Sequence, residues 1–262
     1  MKHFIFFTFL FLFVACKDPK KEMENSIQEV PEVITQNTYP ENISKVFEAH
    51  GGLDKWNSMQ SLVYTMPTPH GENITITNLK NRKTVIQMPN HDLGFNGKDV
   101  WLKNKDTITY KGKPRFVYNL MFYFYAMPFI LADDGIIYED VEPLVIDDKS
   151  YPGIKISYDA GVGESPEDEY ILYYDANTYK MTWLGYTVTY FSKEKSKAFH
   201  FRNYTDWVNV DGLLLPKTME RYNSENNLPS TLHSINEFKD IELSAQAPDD
   251  RLFDVPEGVE TY

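Results

Sequence analysis

Residues 170–190, YILYYDANTYKMTWLGYTVTY, decide the class of fold. Two runs rich in tyrosine, tryptophan and aliphatic side chains flank Asp175-Ala176-Asn177-Thr178, a polar group with turn chemistry. In the second run Leu184, Tyr186, Val188 and Tyr190 alternate with Thr187 and Thr189. That two-residue period places apolar side chains on one face of a half-buried strand. The stretch therefore predicts an antiparallel hairpin, 170–174 against 181–190.

The same signal recurs on either side. Asn96-Gly97 lies between Leu93-Gly94-Phe95 and Val100-Trp101-Leu102, a strong hairpin sequence. Ile74, Ile76 and Leu79 begin one alternating run and residues 84–88 another, while 198–208, 213–222 and 231–243 extend the series. The predicted class is mainly β with a few helices: one large curved antiparallel sheet or half-open barrel, its concave face covered by helices. Trp101, Trp183 and Trp207 fall on these strands and read as core residues rather than sugar-stacking platforms.

Helical signals open the domain. Pro40 suits a first turn, Ile43, Val46 and Phe47 recur at helical spacing, and Gly51-Gly52 ends the helix. Leu53, Trp56 and Met59 continue as a short second helix. His50 beside the glycine pair reads as a helix-terminal histidine favoured by the dipole, not as a catalytic base.

Residues 116–131, FVYNLMFYFYAMPFIL, are apolar nearly all round and predict a buried helix. Asn119, Pro128 and the modest length make the run a poor membrane span. Two readings stand: ordinary core, or core that also lines a cavity for an apolar ligand. On the second, the lining side chains are Phe116, Leu120, Met121, Phe122, Phe124, Met127 and Phe129, types that suit adaptable apolar sites.

The N-terminus predicts an address. Lys2, the apolar run from Phe4 to Val14, and Val14-Ala15-Cys16 have the layout of a secretory leader, residues 1–15. Cys16 follows the small residues and is the only cysteine in the chain, so no intrachain disulfide can form. Lipidation of Cys16 is expected to anchor the chain to a membrane, with residues 17–38 as a flexible tether and 39–262 as one β-rich domain. The net charge of −12 becomes −13 once the leader, with its single lysine and no acid, is removed. So acidic a body argues against nucleic acid and against electrostatic adhesion to anionic head groups.

Catalytic signals are weak. The six histidines at 3, 50, 70, 91, 200 and 233 show no HExxH spacing, and no metal, cofactor or catalytic residue is expected. The glycines of 161–165 fit a flexible turn rather than a phosphate loop. Asp133-Asp134, Glu139-Asp140, Asp147-Asp148, Glu167-Asp168-Glu169 and Asp249-Asp250 read as solvated loop charge, although a hydrolase needs only two carboxyls converging in a cleft.

The phrases AHGGLDKW (49–56), FNGKDVWL (95–102), DGLLLPK (211–217) and FKDIELSAQAPDDRLFDVPEG (238–258), in that order, resemble the LolA/LolB-like superfamily of periplasmic lipid-handling proteins. The likeness spans residues 41–262 and is nearest to lipoproteins of the Bacteroidetes group with the same ending. Lys17-Asp18 loosely resembles their charged export tags. The resemblance implies a half-open barrel with helices over its concave face and an apolar cavity between, used for acyl chains or other lipids. LolA is a soluble shuttle, whereas this chain is expected to be tethered.

The sequence thus predicts an envelope lipoprotein of the outer membrane, on the periplasmic side, that binds a lipid or other apolar small molecule without catalysis. The alternatives are a hydrolase acting on glycan or lipid, or a packed lipoprotein that docks an envelope protein partner.

Overall fold

Ile43, Val46 and Phe47 do form the inner face of a helix, α1 (Glu41–Ala49). The chain leaves it through Gly51 and Gly52 at φ 108° and 85°, a region that glycine enters without penalty. At Gly51 the space is closed as well, because a Cβ there would lie 2.2 Å from the carbonyl oxygen of Gly212. A second short helix, α2 (Leu53–Ser58), turns Trp56 inward. The computed structural model describes Met1, residues 39–158 and residues 167–262. The expected leader, Cys16, the tether and the glycine turn lie outside the described residues.

The strands divide between two antiparallel sheets, neither closed on itself. The first takes β1 (Ser61–Thr68), β2 (Gly71–Asn78), β3 (Thr84–Gln87), β4 (His91–Phe95) and β5 (Val100–Asn104), with the last strand, β13 (Lys239–Ser244), beside β1. The second runs without a crossover through β6 (Ile136–Ile146), β7 (Lys149–Tyr158), β8 (Tyr170–Tyr174), β9 (Met181–Tyr186), β10 (His200–Val210), β11 (Leu213–Glu225) and β12 (Leu228–Glu237). The predicted Asn96-Gly97 hairpin is β4–β5, with Phe95 opposite Val100. The hairpin of 170–190 is β8–β9, with Leu172 opposite Leu184.

Three sequence expectations need correction. Residues 231–243 are not one strand. Phe238, 3% exposed, sits at the break between β12 and β13, and the chain there passes from one sheet to the other. The second strand of the 170–190 hairpin stops at Tyr186, and beyond it hydrogen bonds between side chain and backbone hold Thr187 and Thr189 to Glu169 and Asp168. Glu169 N–H donates to Thr187 Oγ1 at 2.9 Å, and Thr189 N–H donates to Asp168 Oδ1 at 2.6 Å. Nor is β9 half-buried. Leu184 and Tyr186 enter the main apolar cluster, while Trp183 on the other face packs with Tyr173 and Phe201.

β6 and β7 carried no clear signal. β6 holds Glu139, Asp140, Glu142 and Pro143, residues that read as loop. It is an edge strand, where proline and outward charge are tolerated.

Tyr39–Tyr262 is a compact unit. Among the described residues four apolar clusters lie within it, so it carries its own core and meets the physical condition for folding alone. The C-terminal phrase belongs to that core. Phe253 is fully buried against Val85 and Trp101, and Trp101 Nε1 donates to the Phe253 carbonyl at 3.0 Å. Gly94 makes room for this ring, since a Cβ would meet the indole at 2.2 Å.

Candidate functional site

The run 116–131 is not one helix. It breaks into α3 (Pro114–Val117), α4 (Leu120–Tyr125) and a 3-10 turn, Phe129–Ala132. Pro128 has no N–H to continue a helix, and seven aromatic rings in sixteen residues cannot all find partners around one straight axis. The broken path lets successive side chains reach different surroundings. It also leaves hollow space.

Beside α4 lies a cavity of about 200 Å³. Leu120, Phe124 and Ile130 form its apolar floor, and Phe116, Tyr123, Tyr158, Tyr170 and Tyr190 supply aromatic walls. Arg115, Asn119, Asp133, Asp134 and Asp168 add polar groups to its border. The lining is held from behind. Tyr204 on β10 donates its hydroxyl to the Phe124 carbonyl at 2.7 Å, and the Arg202 guanidinium lies 4.2 Å from the Phe124 ring centre. Tyr158 and Tyr170, at the facing ends of β7 and β8, meet edge to face with centres 6.1 Å apart.

Asp133 and Asp168 differ in their partners. Arg82 Nη2 donates to both oxygens of Asp133, at 2.7 and 2.8 Å. Burial nevertheless raises the Asp133 pKa, with the arginine pulling the other way. Asp168 shows the same direction for the same first cause, opposed by hydrogen bonds from Thr189. Burial also pushes the Tyr158 and Tyr170 phenols up, so both stay neutral donors at any physiological pH.

The predicted lining residues separate into three groups. Phe116, Leu120 and Phe124 line the cavity. Phe122 borders a smaller hollow of about 70 Å³ with Phe95, Tyr118 and Arg82. Met121 is half-buried against the main cluster, and Met127 and Phe129, at 0% and 1% exposure, lie inside it. The sequence run suggested one shared role because it suggested one helix. The walls from Tyr158, Asp168, Tyr170 and Tyr190 were missed, since only the β6–β9 topology brings them to α4. Their one signal was that Tyr158 and Tyr170 flank the glycine turn.

His50 stands apart from the cavity. Its ring is fully buried, with Nδ1 2.7 Å from the Val46 carbonyl and Nε2 accepting from Met181 N–H at 3.4 Å. Those partners require the neutral Nδ1–H tautomer, and burial lowers the pKa to about 4. His50 does end the helix as expected, but burial, and not the helix dipole, sets its charge, and it is a neutral core residue. Its carbonyl accepts from Leu214 N–H at 2.8 Å, which joins AHGG to DGLLLPK. These two phrases are packing partners.

A family model described as a family of unknown function (DUF6503) matches residues 4–219. The chain belongs to that family. In structure it is similar to a LolA superfamily protein from Nitrosomonas europaea, with TM-score 0.49 and 12% identity over 80% of this chain and 96% of the other. A DUF1329 family protein from Desulfovibrio piger gives TM-score 0.47 at 9% identity, covering 82% and 98%. The lipoprotein LppX from Mycobacterium tuberculosis gives 0.24 at 12%, covering 55% and 87%. No curated protein matches the chain.

Proposed function

We propose that this DUF6503 protein is a lipid-anchored envelope protein that holds a lipid or acyl chain in the α4 cavity without covalent chemistry. The observation that carries the reading is the cavity itself: about 200 Å³ between α4 and the second sheet, floored by aliphatic and aromatic side chains. An engineered apolar cavity of about 150 Å³ takes a benzene ring. A space of this size therefore seats the end of one chain at a time, with the head group outside. Each methylene it buries contributes about 0.8 kcal/mol.

The anchor is Cys16, placed after a leader of fifteen residues, and the site of residence is the outer membrane on its periplasmic side. Metabolic labelling with an alkyne fatty acid should mark the native chain and leave Cys16→Ser unmarked and unanchored. Label retained by Cys16→Ser would refute the anchor. For the cavity, a fluorescent fatty acid should bind the Tyr39–Tyr262 unit saturably and fail to bind Leu120→Asp. Equal binding to the two, both folded, would refute the site.

One observation favours a second reading, a hydrolase: Asp133 and Asp168 border the same cavity and burial raises both pKa values. Against it, both oxygens of Asp133 are engaged by Arg82. Glycan or lipid ester turnover that disappears in Asp168→Asn would establish it.

A further inference from the structure

Two basic loops of an acidic chain meet at the mouth of the cavity. Residues 111–115 (KGKPR) and 192–197 (SKEKSK) hold six of the 26 lysines and arginines in eleven positions, with one acid among them. They are 77 residues or more apart along the chain, and aromatic side chains bring them together. The Phe116 ring lies 5.0 Å from Tyr190 and 5.0 Å from Phe191. Lys113 Nζ stands 4.9 Å over the Phe191 ring, and Lys193 Nζ 4.3 Å over Tyr190. Phe116 and Tyr190 line the cavity, whereas Phe191 is 58% exposed. The nearby acids are Glu194 within the second loop, Glu167 at 4.0 Å from Lys195, and Asp133 and Asp134 on the cavity border.

We propose that this rim docks on the surface of an anionic phospholipid bilayer, with Phe191 entering the interface and Lys113 and Lys193 meeting phosphates. Exposed aromatic side chains flanked by lysines suit the head-group boundary, where the ring leaves water and the ammonium does not. Charge complementarity names the occupant, since lysines near an anionic leaflet are attracted within a Debye length. Reach agrees: the 22 residues between Cys16 and Tyr39 span at most about 75 Å, so an anchored body can bring its rim to the bilayer that holds it. Docked this way, the cavity mouth faces the lipid it would exchange. The net charge of −12 hides the patch, so bulk charge alone argues against the head-group adhesion that this rim provides.

The inference goes beyond the cavity reading and is tested separately from it. The Tyr39–Tyr262 unit is sedimented with vesicles of phosphatidylcholine alone or mixed with phosphatidylglycerol, at low and raised salt. Binding is expected to the anionic vesicles at low salt and to fall with salt. The double variant Lys113→Glu/Lys193→Glu should bind on the order of 10-fold more weakly, and Phe191→Ser several-fold more weakly. Lys98→Glu, on the β4–β5 turn, should match the native protein. Lys113, Lys193 and Phe191 are outside the cavity wall, so fatty-acid probe binding by the same variants should persist. Absent binding to anionic vesicles, equal binding to neutral ones, or no loss in the double variant would overturn the proposal. Binding to polyglutamate but not to vesicles would overturn it in favour of an acidic protein partner.

Discussion

The two ends of the run 116–131 have the same composition and opposite surroundings. At one end Phe129 lies flat on Trp56, ring centres 4.7 Å apart and planes 9° apart, with His50 against its edge. At the other, Phe116 borders open space and leans on rings that reach solvent. Phe129 is 1% exposed in a filled core, whereas Phe116 is half-buried at a hollow. Apolar composition alone therefore says that a segment leaves water, not what it packs against. The partner elements decide that, and here they are far away in sequence.

If the comparison is sound, equal substitutions at the two ends should have unequal effects. Phe129→Ala removes a ring from a core with no room to collapse and should cost about 3–5 kcal/mol. That corresponds to a fall in Tm on the order of 10 °C, read by thermal denaturation of the Tyr39–Tyr262 unit. A cost near that of Phe116→Ala would show that the Phe129 end is not filled.

The His50 end should also be the acid-sensitive one. Its pKa is about 4 in the fold against an unfolded value of about 6.5, so below 6.5 the unfolded chain takes up a proton that the fold refuses. The contribution is complete above pH 6.5 and is lost as pH falls, approaching about 3 kcal/mol by pH 4. Urea titrations across that window should show the loss in the native sequence and a flatter profile in His50→Gln. Parallel profiles would mean that the ring is not held neutral.

At the hollow end the effect moves from stability to binding. Phe116→Ala, beside open space, should change stability by less than about 1 kcal/mol and still weaken the fatty-acid probe. Leu120→Trp should fill the floor and block the probe while the fold remains. Probe binding unchanged in both would separate the cavity from the ligand.

Much of this architecture was legible. Ile43, Val46, Phe47 and the glycine pair gave α1 and its end, and Asn96-Gly97 gave the β4–β5 hairpin. What escaped has physical reasons. The β6 sequence reads as loop because an edge strand need bury only one side of a few residues. The break at Phe238 escaped because a strand that changes sheets keeps its period on both sides. Phe116, Leu120 and Phe124 were found because their own segment is unusual. Tyr158, Asp168, Tyr170 and Tyr190 were not, since each looks ordinary until β7, β8 and the turn after β9 converge on α4. The basic rim escaped for a related reason: net charge averages over the surface, while the fold sorts it.

The most direct test of the central claim is native mass spectrometry of the Tyr39–Tyr262 unit, purified gently from a lipid-containing host. The expected result is a reproducible added mass that organic extraction identifies as lipid and that is absent from folded Leu120→Trp. A clean unliganded mass for the native unit, even after incubation with lipid, would contradict it.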